Sequence, residues 1–451
     1  MFLRTHQFAH VSRSSFMRPY LRRLAGVLLV LTAASLPAAA QAAPSPSTST
    51  SEVFSRFADR VIKIHVVETS SSAKAELGTG FFISADGHVV TNYHVISKVA
   101  NDPARYRADW IDANATAHPL HLLAVDVARD LAILKADYHP AAFFTLAPAT
   151  VAQGTRLYSM GHPNDLGLSI VEGTYNGLLR YTLYPKIHFS GDINPGMSGG
   201  PAITQDGRVI GVNVATEGDG IGFLVPVANA VALAQRALAP GYEPPKTFLK
   251  VIGSQLLAYQ DEYLAKLFTD STPTVTLGSY RLPTQPAPFF KCWADATRHS
   301  ADRPYDFISH RCSTDDYVFL SPDQSTGTVE MDHRLYTSSE LGPVRFYALY
   351  QARFQAGSDD MDGDPSDVTR FACETRNVRH DSTLVRAVLC LRRYVKFAGL
   401  YDAVLKAAVV GQRNSGLLTT LTLSGVSFEN AERLSTRYLA QITTVSAAPA
   451  R

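Results

Sequence analysis

Gly191-Asp192-Ile193-Asn194-Pro195-Gly196-Met197-Ser198-Gly199-Gly200-Pro201 sets one serine hydroxyl inside a glycine-rich turn. Glycines on both sides of Ser198 let the backbone take dihedrals that other residues resist, and they leave room for a carbonyl group to approach the main chain. The amides of Gly196 and Ser198 are then candidates to point at one oxygen. Such a pair stabilises the oxyanion of acyl transfer, where losing one donor costs about 10² to 10³ in rate. A serine between glycines is by itself an ordinary loop, so its partners decide its meaning.

Upstream, Gly80 to Val95 reads as two strands around an Asp86-Gly87 turn, with His94 just after the second strand. Arg129 to Lys135 puts Asp130 at the mouth of a further apolar strand, so histidine, acid and serine occur in that order. A neutral serine is a weak nucleophile; His94 must take its proton during attack and pass it to the leaving amine. Asp130 is suited to hold the other imidazole nitrogen, which fixes the tautomer and stabilises the imidazolium. Asp126 competes for this role but lacks the apolar strand that follows Asp130. His65, His88, His118, His121, His139, His162 and His188 carry no comparable motif and read as ordinary core or surface histidines.

Three stretches, Thr91-Asn92-Tyr93-His94-Val95, Asp130-Leu131-Ala132-Ile133-Leu134 and Asn194 to Pro201, resemble the histidine, acid and serine motifs of the trypsin-like serine peptidases. Within that family they are most similar to the bacterial branch related to the HtrA and DegP proteases. The resemblance covers roughly residues 50 to 240. It implies an all-β double β-barrel of the chymotrypsin-like kind, and a serine endopeptidase that cleaves peptide bonds through an acyl-enzyme. His94, Asp130 and Ser198 would be catalytic, the Gly196 and Ser198 amides would form the oxyanion hole, and no cofactor is expected. Asp192 stands where the family places the base of its primary specificity pocket. Taken literally it would select Lys or Arg, but the bacterial branch can turn such a residue away and favour small apolar side chains, and this second reading is preferred. Met197 replaces the acid that digestive proteases pair with a newly cut amino terminus. Activation of that kind is therefore not expected, and other contacts must order the loop.

Gly196-Met197-Ser198-Gly199-Gly200 also fits the G-x-S-x-G elbow of esterases in the α/β-hydrolase class, which requires a strand before the serine, a helix after it, and acid and histidine downstream. Here Pro201 to Val212 forms an Asp206-Gly207 hairpin, and the partners lie upstream. A barrel retained only as a binding scaffold is the other alternative. The complete triad argues against it.

Further strands are expected at Arg60 to Val67, Arg156 to Met160, Leu168 to Leu179, Lys186 to Ser190, Val209 to Ala215 and Ile221 to Pro226. A helix near Glu52 to Asp59 is signalled by the capping box of Ser49 and Glu52, and another runs from Val227 to Leu238 until Pro240-Gly241 stops it.

The 451 residues divide into a leader at 1–42, a short linker at 43–50, the peptidase domain at 51–239, a Pro-rich linker at 240–246 and an accessory domain at 247–445. Arg18, Arg22 and Arg23 precede an apolar run too short to span a bilayer, and Ala40-Gln41-Ala42 supplies small residues for a cut. This reads as a secretory signal, more ordinary if translation starts at Met17, and twin-arginine export fits poorly. A periplasmic or secreted protein without an integral membrane segment after cleavage follows. A net charge of +2 with no basic block gives no support to nucleic-acid or anionic-membrane binding.

All four cysteines lie in the accessory domain, and export favours disulfides. Sequence allows three connectivities; Cys292 with Cys312 and Cys373 with Cys390 are preferred. No zinc-like spacing is present, so no metal is expected. Asp359 to Pro365 fails as a calcium loop because Pro365 replaces the turn glycine and Phe371 the bidentate acid. The accessory domain resembles no PDZ module and reads as α+β, with strands at Val344 to Phe354 and Leu417 to Leu423 and a helix capped by Ser427. It is expected to bind the polypeptide substrate, a protein partner or the peptidase itself.

Overall fold

The computed structural model describes residues 49–355, 363–380 and 383–445. The expected leader, most of the linker after it and residues 359–362 of the 359–365 acidic run lie outside these residues.

Six strands, β1 (Val61–Glu68), β2 (Lys74–Phe82), β3 (His88–Thr91), β4 (Tyr106–Ile111), β5 (Ala117–Asp126) and β6 (Leu131–Ala136), close into a barrel in the order β1-β2-β3-β6-β5-β4. A second barrel is built from β7 (Arg156–Gly161), β8 (Ser169–Leu178), β9 (Ile187–Ser190), β10 (Pro201–Ile203), β11 (Val209–Thr216) and β12 (Gly222–Pro226), ordered β10-β11-β12-β9-β8-β7. Closure pairs every strand and leaves no open edge. The chymotrypsin-like double barrel expected from the motifs is thus the fold.

Helix α1 (Thr50–Phe57) carries the Ser49–Glu52 capping box and buries Val53 and Phe57, one turn apart. These residues join Phe81, Ile133 and Phe144 of the first barrel region and Tyr158, Met160 and Val212 of the second in one core. Helix α2 (Tyr93–Asn101) begins directly after β3, and α3 (Val227–Ala237) follows β12 and packs on β5, β6 and β11.

Helix α4 (Phe248–Leu264) leads into the accessory region. There β13 (Thr274–Leu277) and β14 (Tyr280–Pro283) precede the antiparallel strands β15 (Phe290–Thr297) and β16 (Asp306–Thr314). A short hairpin of β17 (Val318–Ser321) and β18 (Gln324–Thr326) follows, then β19 (Val329–Thr337), α5 (Pro343–Gln355), β20 (Ala372–His380), β21 (Thr383–Arg393), β22 (Tyr401–Val409), β23 (Ser415–Val426), α6 (Phe428–Ala440) and β24 (Thr443–Thr444). Seven of these strands form a sheet ordered β15-β16-β19-β23-β22-β21-β20. Helix α6, capped by Ser427, covers one face with Ala431, Leu434 and Tyr438.

The other face meets α5, and here the sequence reading needs correction. Val344 to Phe354 is helical because Pro343 is compatible with a first helical turn and Phe346 and Tyr350, four residues apart, bury together against Tyr336, Ala408 and Leu418. The apparent alternation was the weaker signal.

The structure bonds Cys292 to Cys312 and Cys373 to Cys390. In each pair the residues are direct antiparallel partners, on β15/β16 and β20/β21, so each bridge ties one edge strand of the sheet to its neighbour. The core of the first barrel does not stop at residue 240. Val89, Tyr93 and Val95 share it with Ile252 and Leu256 of α4, Val318 and Leu320 of the short hairpin, and Tyr394, Phe397 and Leu400.

Candidate active site

His94 lies in the first turn of α2, and Asp130 on the tight connection between β5 and β6. Asp130 has a left-handed backbone, φ +54°, a conformation that Asp tolerates better than most residues. One carboxylate oxygen accepts from the His94 backbone N–H at 2.8 Å and the other meets His94 Nδ1 at 2.6 Å. A carboxylate only accepts, so Nδ1 carries the hydrogen and Nε2 is left as the acceptor. Asn92 Nδ2 donates to the Asp130 carbonyl at 2.8 Å and closes the link from the other side. Burial disfavours the charged imidazole, but the Asp130 charge and hydrogen bond, helped by Glu76, outweigh it and raise the His94 pKa above its ordinary value. Asp126 is spoken for elsewhere: Arg129 holds it at 3.1 Å and Arg236 lies 3.9 Å away.

The serine loop is ordered by the junction of the two barrels. Thr79 of β2 is fully buried and uses every polar group it has. Its N–H donates to the Ser198 carbonyl at 2.9 Å, and its hydroxyl donates to the Gly196 carbonyl at 2.6 Å while accepting from the His162 N–H at 3.0 Å. Its carbonyl accepts from the Thr91 hydroxyl at 2.7 Å, three residues before His94. One residue of the first barrel therefore joins the serine loop to the histidine's strand.

Asn213 of β11 does the same work from the second barrel. Its side-chain amide donates to the carbonyls of Met160 and Met197 and its oxygen accepts from Ser159, while its carbonyl accepts from the Gly199 N–H. Met197 is fully buried among Leu157, Phe189, Ile193 and Leu224. Apolar packing thus takes the place of the terminal ion pair that a carboxylate there would make.

Two glycines are dictated by this packing. At Gly196, φ +95°, a Cβ would stand 2.3 Å from the His162 carbonyl oxygen, and at Gly199, φ +85°, it would stand 2.2 Å from that of Thr79. Met197 N–H is bonded to Asn194 and Gly200 N–H to Met197, whereas the Gly196 and Ser198 amides make no hydrogen bond among the described residues. They remain two free donors on either side of the serine. Ser198 Oγ likewise makes none among the described residues.

Asp192 is exposed, and its carboxylate accepts from the Gly220 N–H at 2.6 Å. Neither Thr79 nor Asn213 stands out in the sequence, Asn92 appears there only as a member of the His94 motif, and His162 reads there as an ordinary histidine. Thr79 has a weak signal, a threonine between Gly78 and Gly80, whereas Asn213 has none. His162 donates its N–H to Thr79 beside the Ser198 loop; burial first, then Lys63, pushes its pKa down to about 4.

A family described as trypsin-like peptidase domain matches residues 78–212, the span that holds His94, Asp130 and Ser198. The chain is 28% identical over 215 residues to the chloroplastic Protease Do-like 5 of Arabidopsis thaliana, covering 40% of this chain and 66% of that one. It is 31% identical over 175 residues to a probable periplasmic serine endoprotease, DegP-like, of Chlamydia muridarum, covering 36% of this chain and 34% of that one. A solved structure, the serine endoprotease from Yersinia pestis, is 26% identical with a TM-score of 0.37, over 44% of this chain and 70% of that one. Over residues 78–212 the chain thus carries a trypsin-like peptidase domain, and through its barrel half it is similar to serine proteases of the HtrA and DegP type.

Proposed function

We propose that the protein is an exported serine endopeptidase that cleaves polypeptide substrates through an acyl-enzyme, in the periplasm or outside the cell. Ser198 is the nucleophile, His94 the general base and then the general acid, and Asp130 the residue that orients and charges-balances the imidazole. The Gly196 and Ser198 amides receive the oxyanion. The observation that carries this reading is the double contact of Asp130 with the His94 N–H and Nδ1, which leaves Nε2 to accept a proton. Residues 51–239 are the catalytic domain in this scheme.

Export is supported by the leader-like amino end and by two disulfides, which persist in oxidising compartments. Among the described residues no helix is long and apolar enough to cross a membrane. The bond from Gly220 to Asp192 occupies that carboxylate and supports the preference for small apolar side chains over Lys or Arg. A fluorophosphonate probe tests the chemistry: it should label the wild-type chain and not Ser198→Ala. Absence of labelling at any pH near neutral would leave only a binding scaffold.

A further inference from the structure

The short hairpin of the accessory region lies across the peptidase domain beside His94. The Leu320 carbonyl accepts from Tyr93 Oη at 3.0 Å and from Asn101 Nδ2 at 2.9 Å, both on the helix that carries His94. At the start of the same hairpin, Asp316 is bonded to the Leu183 N–H and to Lys186 Nζ, each at 2.7 Å, on the β8–β9 connection of the second barrel. The segment is thus anchored to both barrels, and Val318 and Leu320 are buried in the first barrel's core. Phe319 lies between these two buried residues and is only partly buried. Its ring stands edge-on to the His94 imidazole, with centroids 5.9 Å apart.

We infer that the accessory region is a fixed wall of the peptidase cleft, and that Phe319 determines which side chain fits beside the scissile bond on the His94 side. The inference rests on the reading of His94 and Ser198 as the reacting pair. His94 keeps 27% of its side chain exposed, so the hairpin narrows the site without closing it. A polypeptide bound for attack by Ser198 must bring its scissile bond against that open part of the imidazole. The side chain flanking the bond there meets the Phe319 ring as a rigid apolar boundary. Small side chains pass, and large ones collide. An aromatic wall held by four hydrogen bonds has little freedom to retreat.

The test uses the full chain with Phe319, Phe319→Ala or Phe319→Leu. After the cleaved bonds in a denatured protein mixture have been mapped, peptide pairs differing only at the residues flanking the bond are compared. Phe319→Ala should raise kcat/KM for the peptide with Phe or Tyr at the walled position about tenfold relative to its Ala counterpart, the low end of what one methylene of pocket shape achieves. Phe319→Leu should fall between. The same ratio should appear in peptide Kd values measured by fluorescence anisotropy in the Ser198→Ala background, where no hydrolysis is needed. A uniform change for all peptides would mean that the hairpin restrains or positions His94, and an unchanged profile would mean that Phe319 is structural; either overturns the inference. A shifted Kd ratio in a chain that no fluorophosphonate labels would retain the wall and sink the peptidase reading instead.

Discussion

Replacing Thr79 by valine removes one hydroxyl and keeps the branched shape. Two buried groups then lose their partner together: the Gly196 carbonyl, bonded at 2.6 Å, and the His162 N–H, bonded at 3.0 Å. A buried polar group left unpaired costs about 1 to 3 kcal/mol, so the pair sets a range of about 2 to 6 kcal/mol. The loop has a way to escape that cost, by leaving the conformation in which the Gly196 and Ser198 amides face one point. If about 2 kcal/mol of the active arrangement is lost, the reactive fraction falls roughly thirtyfold, since about 1.4 kcal/mol is a factor of ten. The rate of fluorophosphonate labelling at Ser198 reads that fraction directly. Thr79→Ser retains the hydroxyl and should label within a few-fold of wild type. Thermal unfolding of both variants separates loss of loop order from loss of the fold. Equal labelling rates for the valine and serine variants would refute the argument that this hydroxyl orders the oxyanion loop.

Asp130→Asn should lower kcat/KM by about 10⁴, the scale of that exchange in serine protease triads, because the amide no longer enforces the required imidazole tautomer. The pH profile follows from the direction of the His94 shift: the base must be neutral, its pKa is raised, and activity should therefore fall as pH drops through a midpoint above about 6.5. Gly196→Ala should abolish labelling while the barrels stay folded by circular dichroism, because a Cβ there would lie 2.3 Å from the His162 carbonyl oxygen. Reduction of the two disulfides, which join residues 20 and 17 apart, should lower accessory-region stability by about 3 kcal/mol per bridge, visible as a lower Tm in reductant.

The parts of this molecule that were legible in its sequence are those in which one short segment contains its own reason. The Ser49–Glu52 box and the Ser427 cap announce their helices within four residues, and the Asp86-Gly87 and Asp206-Gly207 turns announce their hairpins. The three motifs name a histidine, an acid and a serine. What was illegible depends on partners far along the chain. Thr79 matters because Ser198, Gly196, His162 and Thr91 converge on it, and no local pattern states that convergence. Val344 to Phe354 alternates locally, yet the pocket formed by Tyr336, Ala408 and Leu418 decides for a helix. Phe319 lies more than two hundred residues from His94, in a region without a recognised motif, and its place beside the imidazole follows only from the docking of the short hairpin that carries it.

That docking bears on how such a site is kept in order. Met197 offers no carboxylate to a new terminus, and the loop it belongs to is held by Thr79 on one side and Asn213 on the other, so its shape is set when the barrels meet. The histidine and the acid are supported in a different way, from the accessory region. Tyr93 and Asn101, on the His94 helix, grip Leu320, while Gln255 of α4 accepts from the Val127 N–H at 2.9 Å and donates to the Val125 carbonyl at 2.7 Å. Val127 in turn accepts from the Asp130 N–H. The accessory region thus braces the elements carrying His94 and Asp130, and the barrel junction braces the loop carrying Ser198. A perturbation of the short hairpin or of α4 should therefore be felt first at the imidazole and its carboxylate, in the pH dependence of labelling, before the serine loop is disturbed.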